Sequence, residues 1–586
     1  MLNSYTSRFS KKIWSQLKSL TLINHIKMNG FKLRAVSQFW AIAKLYWLGN
    51  EKRGAISLLG LLAILLFANT QVKVFLNTVQ GNLISALSVR NSTGFWQGIT
   101  VAFAGIVIFG FLNSGYGYLR EIIGLYWRKW LTHDLLNQYF QNRAFYELSN
   151  FDKEIDNPDQ RISEDVANFC QQSIGFLVNC LESILVVIAF SVILWSISPN
   201  LVIALILYSI LAYTITIVFY GKKLTQLNIE QLRKEANFRF SLVRIRENSE
   251  SIAFYNGISQ EENKVKFIFN QVFNNFKKLI LWSEVYLNVF KYQFGYLPWI
   301  IPALILGNQI LSGETEVGKI TEAGGAFGQV AFSVNLIMYQ FEKFTKFAAA
   351  INRLYVFHEY LQKSRKSTAD NSNIQILKEN RLAFENLTVQ TPNYEKTLFQ
   401  NLSLELQAGQ SLLVMGDSGC GKSSLLRVLA GLWNSGTGVI VRPELEEILF
   451  LPQRPYMILG TLREQLIYPH SNANISDEEL DRIIKLVNLS DLAARFEGLD
   501  IEKDWSEILS LGEQQRLAFA RLLITQPKYA ILDEATSALD VKNEEKLYNL
   551  LIDIETTFIS VGHRPTLKKY HQIVVNLSAS GHSTGV

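Results

Sequence analysis

The sequence predicts a multidomain chain: an all-α transmembrane half of six helices, followed by an α/β half built on a phosphate-binding loop. Three observations predict it. Apolar runs near the ~20 residues that a helix needs to cross a bilayer recur between positions 55 and 339. From about residue 374 the pattern changes to short apolar strands alternating with apolar-faced helices. Between the strand-like Ser411–Met415 and the helix-like Leu425–Ala430, the stretch Gly416-Asp417-Ser418-Gly419-Cys420-Gly421-Lys422-Ser423-Ser424 fits G-x-x-x-x-G-K-S.

Composition agrees with a chain partly in lipid. Charged residues make up 18% of 586 and mean hydropathy is +0.12, more apolar than a soluble protein of this size. The net charge is +6, but the basic residues collect beside apolar segments. That placement suits membrane flanks and argues against a nucleic-acid partner. Three cysteines, Cys170, Cys180 and Cys420, without C-x-x-C, argue against a disulfide scaffold or a zinc site.

Taken in order, residues 1–53 are basic and lack the compact apolar run of a secretory signal. They read as a cytosolic amphipathic lead-in with Phe39-Trp40 and Tyr46-Trp47 as interface anchors, or as a partly disordered tail over residues 1–30. The spans then fall at about Ala55–Thr78, Gly98–Leu119, Ile174–Ile197, Leu201–Tyr220 and Val285–Leu311. A weaker sixth lies near Ala323–Tyr339, with a buried core helix as its alternative. The transmembrane domain is thus placed at 54–350. The short connections near 80–97 and 198–200 carry only Arg90, whereas those near 120–171 and 221–278 are long and basic. By the positive-inside rule the long loops and both termini are cytosolic. Lys73 lies deep enough to line a translocation path or to snorkel. Glu284, Lys291, Glu342 and Lys343 are further polar groups in or near the spans. Residues 351–373 read as a linker segment, a helix running into the polar stretch Lys363–Asn373, with 374–577 as the ATPase domain and 578–586 as a frayed tail.

The chemistry sits in the second half. Glycines of the loop let backbone N–H groups curl around phosphate oxygens at a helix N-terminus. Lys422 is expected to reach the β- and γ-phosphates and Ser423 to ligate Mg²⁺. Gln453, after the strand Ile448–Phe450, is expected to contact Mg²⁺, the attacking water and the γ-phosphate. The strand Tyr529–Leu532 ends in Asp533, suited to Mg²⁺, and Glu534, suited to polarising water. Leu509-Ser510-Leu511-Gly512-Glu513-Gln514-Gln515 opens a helix whose N-terminus is an anion site. His563 ends the strand Thr557–Val561 and is expected at the γ-phosphate.

With these motifs in this order, residues 375–577 resemble the ATP-binding-cassette (ABC) ATPases. The resemblance implies ATP and Mg²⁺ as cofactors. It also implies that Leu509–Gln515 is the signature segment completing the ATP site of a second copy. The family pattern there is LSGGQ. Leu511 and Glu513 depart from it, while Ser510 and Gly512 keep the phosphate-touching positions. The family's adenine-stacking Tyr before Pro is replaced by Thr391, leaving Tyr394 or Tyr468 for that role. One membrane domain before one cassette resembles an exporter-type half-transporter, with a homodimer as the simplest assembly. Ile155-Asp156-Asn157-Pro158-Asp159-Gln160-Arg161-Ile162, Glu250–Gly257 and Leu451–Met457 resemble subfamily D, which holds fatty-acyl-CoA and vitamin B12 transporters and bacterial inner-membrane relatives.

The expected function is therefore ATP-driven transport of a hydrophobic or amphipathic cargo such as fatty acid or acyl-CoA, in a bacterial plasma membrane. Cobalamin or peptide transport, and a cassette that gates rather than pumps, are the alternatives. A soluble cassette acting on ribosomes or DNA is excluded by the spans.

Overall fold

The structure, a computed structural model, describes residues 36–150, 155, 157–339, 341–367, 374–392, 394–417, 419–470, 475–577 and 583–585. Contacts divide the chain into two compact units, Met1–Ser364 and Arg365–Val586.

The first unit is helical. A short helix, α1 (residues 36–47), precedes α2 (Lys52–Ser88), α3 (Ser92–Phe140), α4 (Pro158–Ile197) and α5 (Pro199–Gly221). Then come α6 (Lys222–Glu247), α7 (Ile258–Leu311), α8 (Gly318–Tyr339) and α9 (Phe341–Ser367). Helices α2, α3, α4, α5 and α7 are long and apolar enough to span a membrane. The sixth expected span forms as α8, and its polar face is matched by α2. Asn77 donates to the Glu322 carbonyl at 2.9 Å and Thr78 to the Glu322 carboxylate at 2.8 Å. A Cβ on Gly318 would lie 1.9 Å from the Gly81 carbonyl oxygen, so only glycine allows that approach. Close packing of small residues plus polar pairing lets a less apolar helix join a membrane bundle.

Two expectations are corrected here. Phe39, Tyr46 and Trp47 are not interface anchors: they pack on Trp127, Tyr46 stacking on it at 5.9 Å, inside a core with Phe169. Burying large aromatic rings together outweighs placing them at a headgroup boundary. Only Trp40 of the four is exposed. The linker boundary set at 351 also moves: the helix expected from about Ala350 runs on to Ser367 as part of α9, and Leu354, Phe357 and Leu361 are buried in the same core. The basic lead-in before residue 36, and the side chains of Glu342 and Lys343, lie outside the described residues.

The second unit holds two sheets. The smaller takes the order β1 (Ile374–Lys378), β5 (Gly436–Arg442), β2 (Leu382–Gln390), β3 (Thr397–Leu406). The larger runs β12 (Ser583–Gly585), β11 (Ile573–Leu577), β4 (Ser411–Gly416), β10 (Thr557–Val561), β9 (Tyr529–Asp533), β6 (Ile448–Leu451). All but β12 are parallel. These five strands read as near-continuous apolar runs, as strands buried on both faces must. The segment expected to fray thus includes a strand, because the β11 edge offers unpaired backbone groups that β12 takes up. A helical lobe carries α10 (Leu462–Ile467), α11 (Asp477–Leu486) and α12 (Leu511–Thr525). It also carries the two-stranded ladder of β7 (Gly460–Thr461) and β8 (Glu502–Lys503).

Candidate nucleotide site

The order β4-β10-β9-β6 decides the site. These neighbours are parallel, with Val414 level with Val561, Val561 with Asp533, and Leu532 with Leu451. Their carboxyl ends deliver the phosphate loop, His563, Asp533-Glu534 and Gln453 along one edge of the sheet. That edge is where open α/β sheets take ligands.

The loop is held by backbone geometry that excludes side chains. Gly416 has φ +145° and a Cβ there would meet the Leu577 carbonyl oxygen at 2.1 Å. Gly421 has φ +106° and abuts Leu398 and Phe399. Buried Lys422 begins the helix Lys422–Leu429 and folds back over the loop. Its Nζ donates to the carbonyls of Gly416 (2.8 Å) and Asp417 (2.9 Å). Cys420 and Ser424 are buried, whereas Asp417 and Gly419 are exposed. Ser418 lies outside the described residues.

Ser423 Oγ donates to Asp533 Oδ1 at 3.2 Å. Burial pushes the Asp533 carboxyl up and neighbouring Glu534 adds to this, while the Ser423 hydroxyl, Arg427 and Lys422 pull it back. A hydroxyl and a carboxylate in contact are the hard oxygen donors that Mg²⁺ selects, so these residues fit that ion. Glu534 sits at φ +47°, its N–H bonded to the Val561 carbonyl at 2.9 Å. Gln453 Nε2 donates to Glu534 Oε2 at 2.9 Å, and His563 Nε2 lies 3.2 Å from Oε1. Three strand ends thus converge on one carboxylate.

Ser510 and Gly512 are placed differently. Ser510 caps α12 in a capping box with Glu513, whose carboxylate accepts from the Ser510 N–H and hydroxyl, each at 2.8 Å. Arg495 holds Glu513 at 2.7 Å and with Ser510 keeps its carboxyl below the usual range, against desolvation. Gly512 packs on the Ala538 carbonyl. Among the described residues, the hydrogen bonds of Ser510 do not reach the phosphate loop. The two tyrosines also separate. Tyr468 packs on Tyr456 and lies under the Arg521 guanidinium at 5.2 Å. Tyr394 is half exposed in the β2–β3 connection, just before the Leu398–Phe399 pair that touches Gly421.

Sequence reading gave no role to Glu544 and Arg564, and placed Gln515 only as the last residue of the Leu509–Gln515 segment, yet all three organise this site. Fully buried Gln515 donates to the Gln453 carbonyl (3.0 Å) and Ser537 Oγ (3.1 Å), and accepts from the Ala538 N–H (3.0 Å). Fully buried Glu544 accepts from Thr536, Arg564 and Thr566. Arg564, next to His563, also donates to the Ser537 and Leu539 carbonyls. The available signal was a polar residue at an apolar helix position, as for Gln515 in α12 and Glu544 in Val541–Asp553. In the helical unit Lys73 is paired with Glu182 at 2.7 Å, a partner the sequence did not single out.

A helical unit with, among the described residues, five bilayer-length apolar helices, preceding an α/β unit with this phosphate loop, defines an ATP-driven membrane transporter. Residues 42–306 match the family model "ABC transporter transmembrane region 2", and residues 399–537 match the model "ABC transporter". An uncharacterised ABC transporter ATP-binding protein of Synechocystis is 45% identical over 89% of this chain and 80% of its own length. ABC transporter D family member 2, chloroplastic, of Arabidopsis thaliana is 36% identical over 93% and 86%. The human lysosomal cobalamin transporter is 31% identical over 94% and 96%. A solved bacterial Atm1-family ABC exporter with ATP bound shares the fold, with a TM-score of 0.69 at 20% identity over 91% of this chain and 94% of that one. The chain belongs to the ABC transporters, subfamily D.

Proposed function

We propose that two copies of this chain form a pump that moves a hydrophobic or amphipathic acid, such as a fatty acid or acyl-CoA, across a bacterial plasma membrane with the ATPase units in the cytosol. The observation that carries the reading is the convergence of Gln453 and His563 on Glu534, beside the Ser423–Asp533 pair. In this reading the loop amides from Gly416 to Ser424 and the Lys422 ammonium hold phosphate. Ser423, Asp533 and Gln453 supply oxygen donors to Mg²⁺, which neutralises charge on the phosphates. Glu534 orients the attacking water and His563 steadies the γ-phosphate. Ser510, bonded to Glu513 of its own helix, and Gly512, packed on the Ala538 carbonyl, serve the site of the other copy. Tyr394, beside the residues that pack on Gly421, is the better placed partner for adenine.

The acyl cargo is supported by subfamily membership. A cobalamin cargo is the second reading, favoured by the human lysosomal relative. Purified protein in proteoliposomes, given oleate, oleoyl-CoA or cobalamin, tests both. ATP-dependent accumulation of an acyl compound is expected, lost in Glu534→Gln while ATP binding persists. Accumulation of cobalamin alone would select the second reading. Cargo flow at the wild-type rate in Glu534→Gln would end the pump reading in favour of a gate.

A further inference from the structure

Three polar side chains meet where three bilayer-length helices pack. Lys73 comes from α2, Tyr116 from α3 and Glu182 from α4. Lys73 Nζ lies 2.7 Å from Glu182 Oε1, and the Tyr116 hydroxyl donates to Oε2 at 3.2 Å. Arg120, one turn along α3, puts a second cation beside the Tyr116 hydroxyl and is itself bonded to Glu121 at 2.9 Å. The cluster is deep. Lys73 lies roughly 20 Å along its helix from Ser88, and Glu182 equally far from Ile197, at about 1.5 Å per residue.

The two partners are unequally satisfied. Each oxygen of the Glu182 carboxylate has a donor. The Lys73 ammonium has three N–H groups and, among the described residues, Glu182 alone as acceptor. One turn earlier on the same face of α2, Asn69 is fully buried and, among the described residues, neither amide atom has a hydrogen-bond partner. Lys73 and Glu182 keep 21% and 25% of their side-chain surface open, so the pair is not sealed. A lysine at bilayer depth costs about 2.5–3.5 kcal/mol on insertion scales, and a buried ion pair often stabilises no more than apolar residues of the same volume. Packing alone does not account for a charge pair with spare donors.

We propose that Lys73 is the anchoring cation for the anionic group of the cargo, a carboxylate or phosphate, which replaces Glu182 as its partner. Glu182 then acts as the resting counter-charge. It holds the ammonium charged in a poorly solvated place. When a cargo anion takes the ammonium, the Tyr116 hydroxyl still donates to the released carboxylate, whereas a neutral molecule brings no charge to replace it. Asn69 supplies an amide donor next to the same group. The inference rests on the reading of the chain as a pump for amphipathic acids.

The test is ATPase stimulation of the full-length protein in proteoliposomes by oleate, oleoyl-CoA and the neutral oleyl alcohol. The variants are Lys73→Met, Glu182→Gln and the double Lys73→Met/Glu182→Met. Loss of one charge-assisted bond predicts that Lys73→Met raises the half-maximal concentration of the anions about tenfold or more, with oleyl alcohol unmoved. Glu182→Gln lowers it. An effect on both anions, on oleate alone or on oleoyl-CoA alone supports the proposal and tells carboxylate from phosphate. The double variant guards against misfolding, because it leaves no unpaired charge. The anion response stays weakened there if Lys73 binds cargo. Recovery of the wild-type response in the double variant, or an equal shift for oleyl alcohol, would overturn the proposal and leave the pair a packing element. A wild type that no amphiphile stimulates would overturn the amphiphile-pump reading itself, and the proposal with it.

Discussion

Gln515→Met isolates the contribution of one buried amide to ATP turnover. Methionine keeps the side-chain volume, so packing in α12 is largely preserved. It removes three hydrogen bonds, to the Gln453 carbonyl at 3.0 Å, Ser537 Oγ at 3.1 Å and the Ala538 N–H at 3.0 Å. At about 1 kcal/mol each, the ceiling is about 3 kcal/mol. Gln453 and Ala538 are exposed, so water recovers part of this, leaving about 2 kcal/mol. Gln515 is the shared anchor of the loop bearing Gln453 and the loop bearing Ser537. Its loss therefore frees two segments at the edge where Glu534 is held. If that energy is withdrawn from the competent arrangement, kcat falls about thirtyfold. The phosphate loop is bonded through other atoms, so the Kd for ATP moves by less than about threefold. Steady-state ATPase at saturating ATP and fluorescent-nucleotide titration measure the two. A kcat within about twofold of wild type, at an unchanged melting temperature, would refute the anchoring argument.

Gly416→Ala is expected to abolish nucleotide binding and cost about 3 kcal/mol, since its Cβ would strike the Leu577 carbonyl oxygen at 2.1 Å with φ already at +145°; calorimetry with and without ATP checks both. Glu544→Ala strands Arg564, Thr536 and Thr566 around an emptied, fully buried position. Breaking such a network costs about 3–5 kcal/mol and lowers the melting temperature of the ATPase unit by about 10 °C. Burial pulls His571 down to about 4, its ring held between the Leu567 carbonyl and Ser560 Oγ. A histidine kept neutral stabilises fully above its unfolded value near 6.5, and that contribution is lost as pH falls toward 4. Between pH 7.5 and pH 5 the loss is about 2 kcal/mol. Urea titrations at the two pH values test it, and His571→Gln should flatten the difference.

Much of this protein is written in local patterns. The phosphate loop, the strand ending in Asp533-Glu534 and the Leu509–Gln515 segment are contiguous, and a strand, turn and helix start follow from adjacent residues. The long apolar runs announce helices of bilayer length because a backbone in lipid must bond to itself. The sequence also exposed Lys73 as an anomaly, since charge in an apolar run needs a reason.

Partners were another matter. The union of Gln453, Glu534 and His563 depends on β6, β9 and β10 being neighbours, an order decided by packing between segments far apart in the chain. Gln515 and Glu544 look like ordinary polar residues of amphipathic helices until the fold buries them completely. Tyr46 and Trp47 look like interface aromatics until Trp127, distant in sequence, offers them a core. Lys73 meets Glu182 only when α2 and α4 lie side by side. Sequence by itself determined which elements form and which chemistry they carry, because propensity and motif act over a few residues. Tertiary structure decided which of those groups touch, because a hydrogen bond or ion pair reaches about 3 Å and knows nothing of separation along the chain.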